Sequence, residues 1–402
     1  MKKIIAVLIS AALLHPALSH ADKKHYKKYK KHHARHHVSN VFVSNTGDKS
    51  MSLVQCTSPK GKRRHHQIDE STVCKEVDNL VVDFGTAWPA NQYRGNPQWW
   101  WSGLSGEIVG IHARNSLDPL QDGANTVRVN TYTYDGVPPG QPAKGANFVG
   151  VTPRGKTVWN AAREIDEIQE IDTDPKSATF GQILTHIAVP LSGLEGPGSD
   201  TKGKMRPCDM SITPSGKYLW EPDIGGETVT GVDIHAKEVV SQLVIPRVNP
   251  DERVIPFMLT TNNKYAVLQN FEAPFGTVDI LDVSDPEHPK HIKKLTQADG
   301  LGLNPQTGEF TSHDKYHYII NNGSPEVPGD VDVLELETLQ LVKKIALPEN
   351  CRPHAGDHTK DKRYFVVNCS GSDSVAVISN KSWEVVQNVA ISGTTPRGVI
   401  VR

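Results

Sequence analysis

Three side chains of the sequence have the chemistry to bind a transition metal: the thiol of Cys208 and the imidazoles of His354 and His358. Cys208 and His354 each follow an Arg-Pro pair, so they occupy equivalent positions in two similar segments. A thiolate with imidazoles is the ligand set that copper and zinc prefer. An ion held with an open position would support redox chemistry or hydrolysis. One hypothesis is therefore a copper or zinc site formed by these three residues.

The charged residues near the same segments favour a different site, a pocket for an anionic small molecule or peptide. A third proline, Pro396, precedes Arg397, which then aligns with Cys208 and His354. Guanidinium groups bind carboxylates and phosphates in a bidentate manner. The candidate ligand-binding residues are Arg206, Asp209, Arg352, Asp357 and Arg397. Both sites remain open, as does a structural role in packing and hydrogen bonding.

The scaffold that must position these residues is visible in residues 351–391. Arg363–Asn368 and Ser374–Ser379 are short, β-branched apolar runs separated by a polar turn, which predicts a hairpin. Further strands are predicted within Pro353–Thr359 and Glu384–Ile391. Four antiparallel strands in about forty residues make a unit of the size of a propeller blade.

Similar units fill most of the chain. Tyrosines of the predicted second strands recur every 47 to 51 residues, at Tyr218, Tyr265, Tyr316 and Tyr364. The repeats predict an all-β fold, a seven-bladed β-propeller of four-stranded blades. Because first strands line the channel of a propeller, the residues after the prolines are expected to converge at one mouth.

The two ends of the chain complement each other. Asn40–Asn45 and Ser50–Gln55 match second and third strands, but no first strand precedes them. Thr395–Arg402 matches a first strand with no second strand after it. The C-terminal strand is therefore predicted to pair with the N-terminal blade and close the ring without an exposed edge.

The N-terminus predicts export. Residues 1–21 have two lysines, the apolar run Ile4–Leu14 and a small-x-small cleavage site, as in a signal peptide. This run is too short to span a membrane and no later segment does so, which predicts a periplasmic or secreted protein that is not membrane-spanning.

Residues 22–38 predict a basic, His-rich disordered arm ahead of a propeller domain at 39–402. Nine of the 44 lysines and arginines and one of the 45 acidic residues lie in the first 37 positions, so the remainder carries a net charge of −9. The arm is interpreted as a solubilising tail, as a contact for anionic surfaces, or as a loose metal site. No specific nucleic-acid binding is expected, since no folded nucleic-acid domain accompanies the arm.

Five cysteines in an exported chain predict disulfides. Cys351 begins the first strand of the last unit and Cys369 ends the second, so these two are predicted to pair. Cys56 and Cys74 would then close the loop after the first unit. Cys208 is left without a partner.

These motifs resemble the YVTN-type β-propeller repeat of exported bacterial and archaeal proteins, a WD40-like repeat. The resemblance rests on the Arg-Pro pairs, the turn Pro214–Lys217, and the strands Tyr364–Asn368 and Val375–Ile378. It implies a seven-bladed ring related to the propellers of the methylamine dehydrogenase heavy chain and nitrous oxide reductase. It implies no activity, since propellers host enzymes and binding modules alike. The absence of a Cys-x-x-Cys-His motif argues against covalent haem.

Two main functional hypotheses follow, and a lactonase-like hydrolase is a third, more distant one. The first is an exported module that binds a protein, a glycan or a small molecule at the channel mouth. The alternative is a copper-dependent periplasmic oxidoreductase with its site at the same mouth. The sequence leaves open whether the protein is an enzyme.

Overall fold

The computed structural model describes residues 36–48, 50–59, 73–81, 88–90, 99–104, 107–112, 126–130, 146–153, 156–195 and 203–401. Within these ranges the regular structure is β-strand apart from two short 3-10 helices, Gln297–Asp299 and Ser312–Asp314. No helix of the described ranges has the length and apolar character needed to cross a membrane. The predicted signal peptide and most of the arm lie outside the described residues.

The N-terminal half of the described chain contains the strands of sheets one, two and three, except for one strand of sheet one that comes from the C-terminus. These strands are β1 (His36–Asn45), β2 (Ser50–Pro59), β3 (Val73–Val81), β4 (Trp88–Ala90), β5 (Trp99–Leu104), β6 (Glu107–His112), β7 (Thr126–Asn130), β8 (Ala146–Val151), β9 (Thr157–Ala162), β10 (Glu167–Asp172) and β11 (Ile183–Ala188).

The C-terminal half contains sheets four to seven and the strand that completes sheet one. These strands are β12 (Ser211–Ile212), β13 (Tyr218–Asp223), β14 (Thr228–Asp233), β15 (Glu238–Val244), β16 (Ile255–Thr261), β17 (Tyr265–Phe271), β18 (Thr277–Asp282), β19 (Lys290–Leu295), β20 (Pro305–Phe310), β21 (Tyr316–Asn321), β22 (Asp330–Glu335), β23 (Gln340–Ala346), β24 (Gly356–His358), β25 (Tyr364–Cys369), β26 (Ser374–Ser379), β27 (Val385–Ala390) and β28 (Pro396–Val401).

The described strands form seven four-stranded antiparallel sheets. Sheet one has the order β28-β1-β2-β3, and sheets two to seven each take four consecutive strands. The first strands β28, β4, β8, β12, β16, β20 and β24 contact one another in a closed cycle. This arrangement confirms the predicted fold class, a multi-bladed β-propeller. We call the end of the channel at which the first strands begin the upper mouth, and the other end the lower mouth.

The two ends of the chain close the ring as predicted. β28 pairs with β1 in antiparallel register, with Val401 opposite Val41 and Val399 opposite Val43. Without β28, the edge of β1 would expose unpaired backbone groups. β1 begins at His36, three residues before the domain boundary predicted at residue 39.

The core lies between neighbouring sheets. Second and third strands are buried on both faces, whereas the outer strands β11 and β27 alternate buried and exposed residues. Trp159 of sheet three packs with Leu219 of sheet four, and Trp220 of sheet four packs with Leu259 of sheet five. Each sheet thus buries its apolar faces against its neighbours, as a ring of blades requires.

The recurring tyrosines predict where four of the second strands begin. Tyr218, Tyr265, Tyr316 and Tyr364 are the first residues of β13, β17, β21 and β25. First strands are placed less well: β12 and β24 are only two and three residues long, and β4 was not predicted.

Both predicted disulfides are present. Cys351 bonds Cys369, and Cys56 bonds Cys74. The second bond joins β2 to β3 within sheet one, so the loop that it closes lies inside the first unit rather than after it. Cys208 is buried and takes part in neither disulfide.

Candidate functional site at the upper mouth

In three of the sheets, the residue that follows the first proline of the first strand is a β-bulge, and it has no partner in the strand pairing. In sheet one Ser44 pairs with Gly398 and Asn45 with Pro396, so Arg397 is bulged out. The same shift isolates Phe257 after Pro256 in sheet five and Gln306 after Pro305 in sheet six. A β-bulge re-aims a side chain, and such bulges are common beside functional sites.

This position recurs around the ring and defines the upper mouth. The five prolines recur every 43 to 49 residues, and the residues that follow them in sheets four, five, six, seven and one are Cys208, Phe257, Gln306, His354 and Arg397. Phe257 and Gln306 were missed in the sequence, although the spacing of Pro256 and Pro305 would have found them. The mouth is apolar at sheets four and five and polar at sheets six, seven and one.

The backbone of His354 is held by hydrogen bonds within its own sheet seven and from the neighbouring sheet six. Asn368 Oδ1 of β25 accepts from the backbone N of His354 (3.2 Å) and of Ala355 (2.7 Å). Thr307 Oγ1 of sheet six donates to the His354 carbonyl (2.8 Å). The Asn368 amide also donates to the carbonyl of Pro396, just before Arg397. One asparagine therefore fixes the segments that carry both His354 and Arg397.

The side chain of His354 is uncharged at neutral pH. Asn322 Nδ2 lies 3.3 Å from His354 Nε2, which fits a tautomer in which Nε2 accepts. Burial, together with the positive charge of Arg397, lowers the pKa of His354 to about 4. Arg397 itself is exposed, and it has no ion-pair partner in the described part of the chain. The pair thus offers one unpaired positive charge beside a neutral imidazole.

The opposite side of the mouth is aromatic. Phe257 and Phe271 have ring centroids 4.5 Å apart, and Phe271 and Phe275 are both exposed. Phe257 also packs with Ile224 against buried Cys208. Exposed aromatic groups beside a charged rim are typical of ligand sites.

Two acidic side chains lie deeper in the channel on adjacent first strands. Asp357 Oδ2 of β24 accepts from the backbone N of Val401 in β28 (2.9 Å). Burial raises the pKa of Asp357 to about 6. Burial and the negative charge of Asp357 raise the pKa of Glu309, on β20, to about 8. Two carboxyls with separated pKa values form an acid and base pair near neutral pH. Sequence reasoning identified Asp357 but missed Glu309.

The predicted residues of sheet four form contacts of their own. Cys208 Sγ accepts a hydrogen bond from Arg163 Nη2 (2.9 Å), and burial raises the pKa of this thiol to about 11. Asp209 Oδ2 accepts from the backbone N of Leu259 (2.8 Å), and burial raises its pKa to about 7. Arg206 Nη2 lies 2.9 Å from Glu164 Oε1. These contacts join sheet four to its neighbours.

His358 lies between sheets six and seven. Its ring packs against Tyr318 and Phe365, at centroid distances of 5.5 and 4.9 Å, and its Nδ1 lies 2.9 Å from Asn380 Nδ2. Burial and the charge of Lys362 lower the pKa of His358 to about 3.

The predicted site residues therefore do not all lie together in the structure. It brings His354 and Arg397 together at the upper mouth, whereas Cys208 contacts Arg163 and His358 contacts aromatic rings. The side chain of Arg352 is half-buried, and its carbonyl accepts from Ser370 Oγ (2.7 Å). No group of three or more His, Cys, Asp or Glu side chains suited to a metal ion occurs among the described residues.

Solved structures share this fold. A putative 6-phosphogluconolactonase from Bacteroides uniformis is 13% identical with a TM-score of 0.65, and the match covers 91% of this chain and 99% of that one. A protein from Lactobacillus plantarum is 14% identical, with a TM-score of 0.64 over 92% and 100% of the two chains. The periplasmic gluconolactonase of Pseudomonas aeruginosa is 12% identical, with a TM-score of 0.59 over 91% and 99%. At these identities the likeness shows the β-propeller fold. No family model and no curated protein matches the sequence.

Proposed function

We propose that the protein is an exported, seven-bladed propeller of the YVTN type that binds an anionic ligand at its upper mouth. Two disulfides fit an oxidising compartment such as the periplasm. The observation that carries the proposal is the placement of Arg397 beside His354, with the guanidinium exposed and the imidazole neutral. A guanidinium group that has no ion-pair partner among the described residues can bind a carboxylate or phosphate in a bidentate manner.

The aromatic side of the mouth indicates which class of anion would bind there. An anion whose uncharged part contacts Phe257 and Phe271 would use both halves of the mouth. The copper-dependent oxidoreductase has less support, because Cys208, His354 and His358 contact different neighbours in the described chain.

Thermal unfolding in the presence of three probes tests binding: gluconate, 6-phosphogluconate and phenylacetate. We expect at least one probe to raise the Tm of the wild type, because a ligand that binds only the folded state stabilises it. The same probe should leave the Tm of R397M unchanged. K343M, which removes an exposed charge on the outer strand β23, should respond as the wild type does. No shift with any probe, or an equal shift in R397M, would overturn the proposal.

A second candidate, lactone hydrolysis, is favoured by the Glu309 and Asp357 pair. Their raised pKa values suit general acid–base catalysis near neutral pH, whereas His354 with a pKa of about 4 is a weak base. Of the solved structures named above, one is described as a putative 6-phosphogluconolactonase and another as a periplasmic gluconolactonase. Hydrolysis of glucono-1,5-lactone, followed by proton release, should exceed the spontaneous rate in the wild type and fall to it in E309Q and D357N. A wild-type rate equal to the spontaneous rate would leave binding as the function.

A further inference from the structure

A groove opens at the lower mouth between sheets six and seven, at the opposite end of the sheets from Arg397. Its lining comes from the turns that join β20 to β21 and β24 to β25, and from the turn between β26 and β27. Its volume is about 510 Å³, which is within the usual range of small-molecule sites.

The groove is positively charged, whereas residues 38–402 as a whole carry a net charge of −9. Lys315, Lys362, Arg363 and Lys381 line it, and none of its described lining residues is acidic. Lys362 and Lys381 have no ion-pair partner in the described parts of the chain, and Lys315 Nζ lies 3.9 Å from Glu335. Lys315 Nζ also lies 4.8 Å from the centroid of the Tyr316 ring, and Arg363 Nε donates to Asp361 Oδ2 (2.7 Å). Four positively charged side chains therefore lie together on a protein that is otherwise acidic, and this cluster would attract an anion.

The lining of the groove includes a pair of aromatic rings. Tyr316 and Trp383, from the two sheets, meet edge to face at a centroid distance of 5.2 Å, and both are half-buried. Asn380 accepts from the Tyr318 hydroxyl (3.1 Å), donates to the Lys362 carbonyl (3.0 Å) and contacts His358 Nδ1. Such hydrogen bonds pre-organise the site before a ligand arrives.

We propose that this groove binds an anionic saccharide, one or two sugar rings that bear a carboxylate, phosphate or sulfate. Sugar rings pack their apolar faces on tyrosine and tryptophan, and the lysines bind the anionic group. The hydroxyls of Ser312 and Ser379 supply hydrogen-bond partners for those of the sugar. This site is separate from the upper mouth and does not depend on the function proposed there.

Isothermal titration with digalacturonate, glucose 6-phosphate and a sulfated chondroitin disaccharide tests the proposal, with neutral cellobiose as the reference probe. We expect at least one anionic probe to bind with a Kd below about 1 mM and more tightly than cellobiose. K362A/K381A should weaken that binding by about tenfold or more. W383L should also weaken it, and it should keep the fold because Leu339 occupies the equivalent turn of sheet six with the same φ of 56°.

Two controls separate this site from general charge effects and from the upper mouth. K290A/K343A removes two exposed lysines of outer strands, and R397M removes the guanidinium of the other mouth. Both variants should keep the binding that K362A/K381A loses. The proposal is overturned if no anionic probe binds, if cellobiose binds equally well, or if K290A/K343A or R397M loses as much affinity as K362A/K381A.

Discussion

The guanidinium of Arg163 donates a hydrogen bond to the thiol of Cys208 across the boundary between sheets three and four, with an Nη2 to Sγ distance of 2.9 Å. Burial opposes ionisation of this thiol more than the positive charge of Arg163 favours it, and the pKa rises to about 11. Cys208 is therefore a protonated, inaccessible thiol in the folded protein.

Alkylation measures this directly. At pH 7.5 iodoacetamide should modify native Cys208 at least about 100-fold more slowly than in 6 M guanidinium, because a pKa of about 11 leaves few thiolates. One label per chain is expected in non-reducing denaturant, since the other four cysteines are in disulfides. The variant C208A should take up none. Rapid native labelling would show that the thiol is ionised and open to solvent.

The carboxyl of Glu309 makes the stability of the protein depend on pH. Its pKa is about 8 in the folded state and near its ordinary value of 4.5 in the unfolded chain. Because ionisation in the channel is unfavourable, the unfolded chain ionises at a lower pH than the folded protein does. The stability that is present below pH 4.5 is therefore lost as the pH rises through about 8. E309Q removes this loss and should stabilise the protein at pH 8.5 by at least about 1 kcal/mol.

The comparison at pH 4 is the internal control. There Glu309 is protonated in both states, so E309Q and the wild type should unfold at nearly the same denaturant concentration. E384Q, the same change at an exposed turn, should have little effect at either pH. An E309Q variant that is no more stable than the wild type at pH 8.5 would contradict the raised pKa.

The two disulfides should contribute similarly to stability. Each closes a loop with a sequence separation of 18 residues, which corresponds to about 3 kcal/mol in the unfolded-state entropy model. C56S/C74S and C351S/C369S should each lose about this much in urea unfolding. With dithiothreitol the wild type should fall below both variants. A loss confined to one pair would mean that strain or residual structure outweighs loop entropy.

The fold can be predicted from the sequence because the same strand register recurs in successive repeats. The asparagines five residues after Tyr265 and Tyr316 donate to Asp279 and Asp332 of the neighbouring strand, at 2.6 and 2.8 Å. Such a pair fixes a second strand against a third wherever it recurs. The repeat pattern is least regular in the second blade, and residues 113–125 of that blade lie outside the described residues.

The site is less predictable because first strands are short and bulged. Alignment on the prolines predicts His354 and Arg397 at one mouth, and Asn368 contacts the backbone of both segments. The alignment does not predict the hydrogen bond from Arg163 of sheet three to Cys208, or the packing of His358 between sheets. Both contacts involve residues that are distant in the sequence, such as Tyr318 for His358. Glu309 was missed because its partner, Asp357, lies 48 residues away in the sequence.

A crystal structure of the protein soaked with the probe that raises its Tm tests the proposed binding at the upper mouth most directly. We predict ligand density there, with a carboxylate or phosphate oxygen within about 3 Å of the Arg397 guanidinium. An empty upper mouth in well-ordered crystals, or ligand bound only at another place, would contradict the proposal that Arg397 and His354 form the binding site.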